Sequence, residues 1–385
     1  MIRIVLFWLF LVTGVTGLWA QTGAGTTEKR LRISVLTCGA GSELYASFGH
    51  TAIRISDSTG GTDEVYNYGT FDFNDPQFYS KFTLGKLLYF LEKEAYGDFL
   101  YDYVQEGRAV TEQVLHLSNE DGEKIRAFLE NNLLPANRAY RYDFLFDNCA
   151  TRVRDVFPLV LGRSFQFGAA LQEKPLRFRE AIDRRLSGKP WQRLGIDIIL
   201  GNPVDARMND QASMFLPDYL YNGLQGARYH GKPLVTSRQI FIGGLHLRGN
   251  TSNQPFWILL LLLLLVAAVH LITALQKYRK SVAVAVLFLT GLLGLQLLFM
   301  WLFTNHQSCA YNWNILWAFP LNVFMAFIKD NRLRKYCSIL AIAALIAALV
   351  VHFCGIQQMP LKEIAPLLAA LLVIYGYNVK DSISK

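Results

Sequence analysis

The sequence predicts an α+β exported domain followed by an α-helical membrane bundle of about five spans, and two observations lead to this fold class. Residues 21–254 mix charged, aromatic and turn-forming residues, as a globular domain does, and the stretch is long enough to bury a core. Residues 255–385 are dominated by apolar runs, and Phe256–Leu275 and Val282–Phe303 have the length needed to cross a bilayer. We therefore expect two folded domains, at 21–254 and 255–385.

Residues 1–20 have the pattern of a secretory signal peptide. Arg3 precedes an apolar run from Ile4 to Val12, and Gly17-Leu18-Trp19-Ala20 leads into a polar stretch, so cleavage is expected after Ala20. Such a signal would place residues 21–254 outside the cytoplasm, and an uncleaved anchor would give the same orientation.

Basic residues orient the apolar segments in the membrane. Three weaker candidates follow the two strong ones, at Tyr311–Ile328, Cys337–Cys354 and Ile364–Tyr377. Lys and Arg concentrate after the first, third and fifth segments, so the positive-inside rule places those connections in the cytoplasm and the globular domain outside. The net charge of +8 arises mostly from residues 255–385 and is no argument for nucleic-acid binding.

Hydrophobic periodicity predicts mixed strands and helices in the globular domain. Strands are expected at Leu31–Thr37, Thr51–Ser56, Glu64–Tyr68 and Arg108–Leu117, with a hairpin joining the second and third. Helices are expected at Leu84–Leu91, at Asp98–Gln105, from Ser118 to about Leu133, from Cys149 to about Leu161 and at Arg177–Leu186.

Cys149 is the leading candidate for a catalytic nucleophile. It begins a predicted helix, and a helix N-terminus and a nearby imidazole both lower the pKa of a thiol. His50 heads a predicted strand and can act as the base that activates this thiol. In papain-like hydrolases the cysteine precedes the histidine along the chain. The order is reversed here, which predicts a circularly permuted papain-like domain.

Cys38 is the competing nucleophile. It lies only twelve positions before His50, which leaves little room for a helix followed by a sheet strand. Two cysteines in an exported domain can also form a disulfide, so a Cys38–Cys149 disulfide stays an alternative.

A third group usually orients the histidine of such a site. Asn67 lies on the strand predicted to pair with that of His50, so its amide oxygen can accept a hydrogen bond from the imidazole. Glu64 and Asp72 are rivals, and a turn residue at a strand end is the structural alternative. The backbone N–H of Cys149 is the expected oxyanion donor, because the first N–H groups of a helix are free. The histidines show no metal-ligand spacing, so we expect no metal or other cofactor.

Several motifs resemble the Lnb family, whose members have a periplasmic N-terminal domain. They are residues 48–54 (FGHTAIR), 65–73 (VYNYGTFDF) and 147–149 (DNC). Further along, His306 and residues 312–314 (NWN) and 320–322 (PLN) resemble the membrane part of that family. The resemblance covers nearly the whole chain after the signal peptide.

The resemblance implies a lipoprotein N-acyltransferase of the permuted NlpC/P60 kind in the bacterial cytoplasmic membrane. Such an enzyme takes an acyl chain from a phospholipid as a Cys149 thioester and passes it to the α-amino group of a lipid-modified N-terminal cysteine of a lipoprotein. It implies Cys149 as nucleophile and His50 as base, whereas Asn67 rests on strand pairing alone. The expected partners are the phospholipid donor, the lipoprotein acceptor and the membrane, with no nucleic acid.

Two groups of side chains are further candidates for substrate contact. His306, Asn312 and Asn314 lie in or near the outer loop, where polar groups are often functional, although ordinary interfacial polarity explains them as well. Five aromatic residues between the third predicted strand and the predicted helix at Leu84–Leu91 can shape an acyl groove, but the usual burial of aromatic rings favours a plain core. These five are Phe71, Phe73, Phe78, Tyr79 and Phe82.

Two other functions stay open. An exported cysteine peptidase or amidase acting on cell-wall peptides would use Cys149 and His50 with water as the acceptor, but a single membrane anchor would suffice for it. A noncatalytic membrane scaffold would instead hold Cys38 and Cys149 as a disulfide.

Overall fold

A seven-stranded antiparallel sheet organises the globular domain in the computed structural model, which describes residues 31–172, 176–242 and 252–381. The predicted signal peptide lies outside the described residues. The strands are β1 (Leu31–Cys38), β2 (His50–Asp57), β3 (Thr62–Thr70), β4 (Leu88–Ala95), β5 (Val110–Leu115), β6 (Ala139–Arg141) and β10 (Val235–Ile242). Their spatial order is β10-β5-β1-β2-β3-β4-β6. A small second sheet contains β7 (Phe165–Gln166), β8 (Arg228–Tyr229) and β9 (Lys232–Pro233).

Helices pack on both faces of this sheet. They are α1 (Phe78–Thr83), α2 (Tyr96–Gln105), α3 (Asn119–Leu133), α4 (Cys149–Leu161), α5 (Phe178–Arg185), α6 (Pro190–Ile199), α7 (Asp210–Ser213) and α8 (Pro217–Gln225). Helices α3 and α4 share a core with Ile33 and Val35 of β1. Helix α2 shares a second core with Leu36 and Cys38 of the same strand. These two side chains lie on the opposite face of the sheet from Ile33 and Val35, because side chains alternate between the faces along a strand. The α+β class predicted for this domain is confirmed.

The predicted helix at Leu84–Leu91 is wrong, because this stretch contains the first half of β4. Its leucines fit a helical period, but β4 pairs with both β3 and β6. Phe90 of β4, for example, pairs with Thr70 of β3 on one side and with Ala139 of β6 on the other. Pairing with two neighbours outweighs the local helical pattern.

Four described helices are long and apolar enough to cross a membrane. They are α9 (Gln254–Leu271), α10 (Arg279–Phe303), α12 (Asn331–Phe353) and α13 (Leu361–Asp381). They agree with four of the five predicted spans. The short loop Thr304–Ala310 and the turn at Gly355 both contact the globular domain, so one end of this helical bundle lies directly beneath that domain.

The third predicted span, Tyr311–Ile328, is not one continuous helix in the part of the chain that the structure describes. It contains a 3₁₀ turn at Trp313–Leu316 and the four-residue α11 (Asn322–Met325), with irregular chain between them. Pro320 lies between the two pieces and removes a backbone donor that a continuous helix would need.

This irregular segment is buried against α10 rather than exposed. A Cβ added at Gly294 would lie 1.7 Å from the carbonyl oxygen of Ala318, so only glycine permits the approach. The Asn322 amide donates to the Tyr375 hydroxyl at 2.7 Å and is fully buried. Irregular backbone at membrane depth is tolerated when it is enclosed by protein in this way.

Candidate active site

The start of α4 places Cys149 at a helix N-terminus. Asn148 is the N-cap residue: its Oδ1 accepts from the Thr151 N–H at 2.9 Å, and Thr151 Oγ1 accepts from the Asn148 N–H at 2.7 Å. The Asn148 side-chain amide also donates to the carbonyls of Phe144 and Phe215. These bonds fix the residue at which the helix begins, so the thiol lies at the positive end of its dipole.

His50 begins β2, and its imidazole lies beside the Cys149 thiol, close enough for each group to shift the pKa of the other. Its Nε2 lies 2.6 Å from Asn67 Oδ1, so Nε2 carries the proton and donates to the amide oxygen. This leaves Nδ1 as the ring nitrogen that is available to exchange a proton with the thiol. The Asn67 side-chain N–H donates to Glu94 Oε1 at 3.0 Å. Cys149, His50, Asn67 and Glu94 thus form one connected row of polar side chains.

The electrostatics favour a thiolate and an imidazolium. Burial by itself would raise the pKa of the Cys149 thiol, but the charge of His50 and its hydrogen bond outweigh burial and lower that pKa. The N–H groups of Thr51 and Ala150 also donate to the sulfur and lower the pKa further. Burial would lower the pKa of His50, but the pairing with Cys149 and the bond to Asn67 raise it. The pair is therefore preorganised for nucleophilic attack.

Gly69 keeps open the space beside the thiol. Its φ of +104° is a conformation that favours glycine. A Cβ added there would lie 3.6 Å from Cys149 Cβ, 3.8 Å from His50 Cε1 and 3.9 Å from the Tyr140 hydroxyl oxygen. Any side chain at this position would occupy the point where these three groups meet.

Tyr140 and Glu94 are two candidate functional residues that the sequence analysis missed. The Tyr140 hydroxyl is buried and has no hydrogen-bond partner among the described residues. It lies beside Cys149, so it can donate to an oxygen that carries negative charge during the reaction. Neither residue lies in a recognisable motif. The pairing of β3 with β4 brings Glu94 to the site, and the pairing of β4 with β6 brings Tyr140 there.

The structure separates Cys38 from this chemistry. Its side chain lies in the core beneath α2, and burial raises the pKa of its thiol to about 12. Cys38 and Cys149 are both free thiols, which removes the disulfide alternative. The rivals of Asn67 are also engaged elsewhere, since Glu64 pairs with Lys93 at 3.3 Å and Asp72 caps an exposed turn.

Iodoacetamide is expected to modify Cys149 at pH 7 at least about tenfold faster than Cys38, because only the thiolate reacts. The rate at Cys149 should fall as the pH drops through its lowered pKa, where the thiolate gains a proton. Peptide-level mass spectrometry of the detergent-solubilised protein between about pH 5 and pH 9 measures both rates. His50→Ala should abolish the faster modification of Cys149. Equal rates at Cys149 and Cys38 in the unsubstituted protein would contradict the assignment of Cys149 as the nucleophile.

His306 lies in the loop after α10 and contacts α1. Its Nε2 lies 3.0 Å from the Phe82 carbonyl oxygen, to which it donates, and its ring makes an edge contact with the Phe82 ring. The same loop is joined to the domain by a hydrogen bond from the Asn305 N–H to the Leu84 carbonyl at 2.9 Å. The Nε2 atom of His306 is therefore engaged in joining the outer loop to α1 of the globular domain.

Asn312 and Asn314 are buried beneath the C-terminal end of α6. The Asn312 amide donates to the carbonyls of Ile198 and Ile199 at 2.8 and 2.9 Å. The Asn314 amide donates to Ile198 at 3.0 Å, and its oxygen accepts from Trp317 Nε1. Both side chains cap carbonyl groups that a helix end leaves free, so their geometry favours joining the two domains over binding substrate.

The edge of the domain that carries Cys149 faces the membrane helices. Leu145, four residues before Cys149, shares a buried cluster with Cys309 of the outer loop, and Met300 of α10 packs against that cluster. Lys189 at the start of α6 donates to Ser47 Oγ, three residues before His50, at 2.6 Å. The candidate site is therefore held close to the end of the membrane bundle.

Comparisons with known proteins agree with this two-part architecture. Residues 24–184 match the family model described as the Lnb N-terminal periplasmic domain, and residues 248–385 match the one described as the Lnb transmembrane domain. No curated protein and no solved structure gave a match. The two models match consecutive parts that together make up most of the chain, in agreement with a membrane protein that has a periplasmic domain. The chain belongs to the Lnb family.

Proposed function

We propose that this protein is a lipoprotein N-acyltransferase of the bacterial cytoplasmic membrane. The observation that carries the proposal is the paired Cys149 and His50, oriented by Asn67, at the edge of a periplasmic domain that docks on membrane helices. The reversed order of cysteine and histidine supports a circularly permuted papain-like domain of the NlpC/P60 kind. The acyl donor would be a phospholipid, and the acceptor would be a lipoprotein with a lipid-modified N-terminal cysteine.

In the first step the Cys149 thiolate attacks the ester carbonyl carbon of the phospholipid. The carbonyl oxygen becomes an oxyanion that the Cys149 N–H and the Tyr140 hydroxyl can bind. The C–S bond forms, the ester C–O bond breaks, and the departing glycerol oxygen takes the proton of the His50 imidazolium. A lysophospholipid leaves, and the acyl chain is held as a thioester while His50 is neutral.

In the second step the neutral α-amino group of the lipoprotein attacks the thioester carbonyl. Neutral His50 accepts a proton from the amine, the C–N bond forms, and the C–S bond breaks. The thiolate and the imidazolium are thereby restored, so the cycle needs no other reactant. A thioester keeps the acyl group activated, and an amine competes with water when the site is shielded from solvent.

The alternative of a cysteine peptidase or amidase uses the same dyad with water as the acceptor. The candidate site lies close to the membrane helices, and this supports a lipid substrate. An enzyme that cleaves soluble peptides would not need its site at the membrane. The free thiols at Cys38 and Cys149 argue against a disulfide-linked scaffold.

The test is mass spectrometry of the N-terminal peptide of a reporter lipoprotein, from cells in which this protein is the only candidate N-acyltransferase. An amide-linked acyl chain on the N-terminal cysteine is expected when the protein is present and not when its gene is deleted. An unmodified α-amino group in its presence, together with cleavage of cell-wall peptides, would instead support the peptidase.

Tyr140→Phe is expected to slow acyl transfer by about 10²-fold, because it removes one donor to the oxyanion and leaves the ring in place. The rate of N-acylation in phospholipid vesicles measures this effect. Tyr66→Phe is the matched control, since it removes a buried hydroxyl of the same sheet whose partner is Glu130, away from the thiol. Similar rates for Tyr140→Phe and the unsubstituted protein would exclude the tyrosine as an oxyanion donor.

A further inference from the structure

Five aromatic side chains form an exposed cluster that we call the aromatic platform: Phe71, Phe73, Phe78, Tyr79 and Phe82. Their relative exposures reach 70% for Phe73, 84% for Tyr79 and 52% for Phe82, so the expectation that they form a plain core is wrong. The rings nevertheless contact one another, with centroids 5.2 Å apart for Phe73 and Phe78. A contiguous exposed aromatic patch of this kind marks an interaction surface.

The platform lies beside the end of a membrane helix. Helix α10 ends at Phe303, and two residues later the Asn305 N–H donates to the Leu84 carbonyl, just after α1. Gly85, with a φ of +66°, allows this approach, because a Cβ there would lie 3.1 Å from the Asn305 carbonyl carbon. Aromatic side chains are favoured at the depth where a spanning helix leaves the bilayer. The platform is therefore at the level of the outer membrane–water interface.

A row of aromatic rings connects the platform to the candidate nucleophile. The Phe71 ring lies 5.2 Å from Tyr89 between centroids, and Tyr89 stacks on Tyr142 at 4.5 Å. Tyr89 also lies 6.5 Å from Tyr140, whose hydroxyl is beside Cys149. We call this row the aromatic track. It offers apolar surface from the membrane interface to the thiol.

We propose that the aromatic platform inserts into the outer leaflet and that the aromatic track guides the acyl chain of one phospholipid so that its ester reaches Cys149. Insertion follows from the exposure and position of the rings alone. The role of the inserted lipid as acyl donor rests on the proposed function. The occupant is a phospholipid of the leaflet in which the membrane helices end, since that is the apolar material in contact with the platform.

Insertion is tested by photocrosslinking of the full-length protein in vesicles of phosphatidylethanolamine and phosphatidylglycerol. Tyr79 is replaced by p-benzoylphenylalanine in one protein. In the control the same group replaces Thr59, which is exposed in the hairpin at the opposite end of β2 from His50. Lipid adducts detected by mass spectrometry at position 79 and absent at position 59 are expected. No adduct at 79, or equal adducts at both positions, would overturn insertion.

The donor role is tested by two rates of Cys149 acylation, one with vesicle phospholipid and one with a water-soluble short-chain p-nitrophenyl ester. Tyr79→Asp and Phe73→Asp are expected to lower the ratio of the first rate to the second by about tenfold. Tyr101→Asp, which changes an exposed tyrosine of α2, should leave the ratio unchanged. An unchanged ratio in the platform variants would overturn the donor role.

The two proposals fail in different ways. If the unsubstituted protein forms no acyl-Cys149 from either donor, the proposed function is refuted and the track has no donor role. The lipid adducts at position 79 do not depend on acylation, so they decide insertion independently.

Discussion

Cys149→Ala is expected to lower N-acylation of a reporter lipoprotein by at least about 10³-fold, because it removes the atom that forms the thioester. The loss should exceed that from a substitution of Asn67 or Tyr140, since these two residues only orient or stabilise the reacting groups. The fraction of N-acylated reporter peptide, determined by mass spectrometry at equal protein levels, measures it.

Cys354→Ala is the matched control for this prediction. Cys354 is an exposed free thiol just after α12, so its loss changes cysteine content without affecting the site or the core. Undiminished N-acylation in Cys149→Ala would show that another group carries the acyl chain, and the mechanism proposed for this protein would be wrong.

Arg179→Met is expected to destabilise the periplasmic domain by about 3–5 kcal/mol, because it leaves buried carboxylates without their partner. Arg179 is 2% exposed and donates to Asp205 at 2.9 and 3.0 Å and to Asp197 at 3.1 Å. It also donates to the carbonyls of Leu200 and Gly201, at the same helix end that Asn312 caps. A loss of this size is a large part of the stability of a typical domain.

The effect is measured as a fall in the thermal midpoint of the detergent-solubilised protein and as faster trypsin cleavage within residues 176–242. Arg163→Met is the control, because Arg163 is exposed after α4 and its change should stay within about 0.5 kcal/mol. Arg179→Lys keeps the charge but cannot reach both carboxylates as the planar guanidinium does, so an intermediate loss is expected. A midpoint equal to that of the Arg163 control would contradict a structural role for this network.

Local sequence signals were sufficient to predict the elements that carry the candidate dyad. Helix α4 begins at Cys149 because Asn148 is a strong N-cap, and β2 begins at His50 because alternating apolar residues follow it. The β2–β3 hairpin, also read from the sequence, brings Asn67 within reach of the imidazole. Each of these features depends on residues close together in the chain.

Other features depend on contacts between distant parts of the chain and were not predictable from local patterns. The helical period at Leu84–Leu91 gave the wrong element, because pairing with β3 and β6 decides its conformation. Tyr140 and Glu94 reach the site only through that sheet. The irregular third membrane segment likewise depends on its close approach to Gly291 and Gly294 of α10 and on the buried amide of Asn322, rather than on its own hydropathy.

The measurement that tests the central claim most directly is the mass of the peptide containing Cys149 after the purified protein is incubated in phospholipid vesicles without acceptor. The account predicts a mass increase of one acyl chain, an equal amount of lysophospholipid, and release of the chain by neutral hydroxylamine or by an added peptide with a diacylglyceryl-modified N-terminal cysteine. An unmodified Cys149 in a preparation that still N-acylates the acceptor peptide would contradict it.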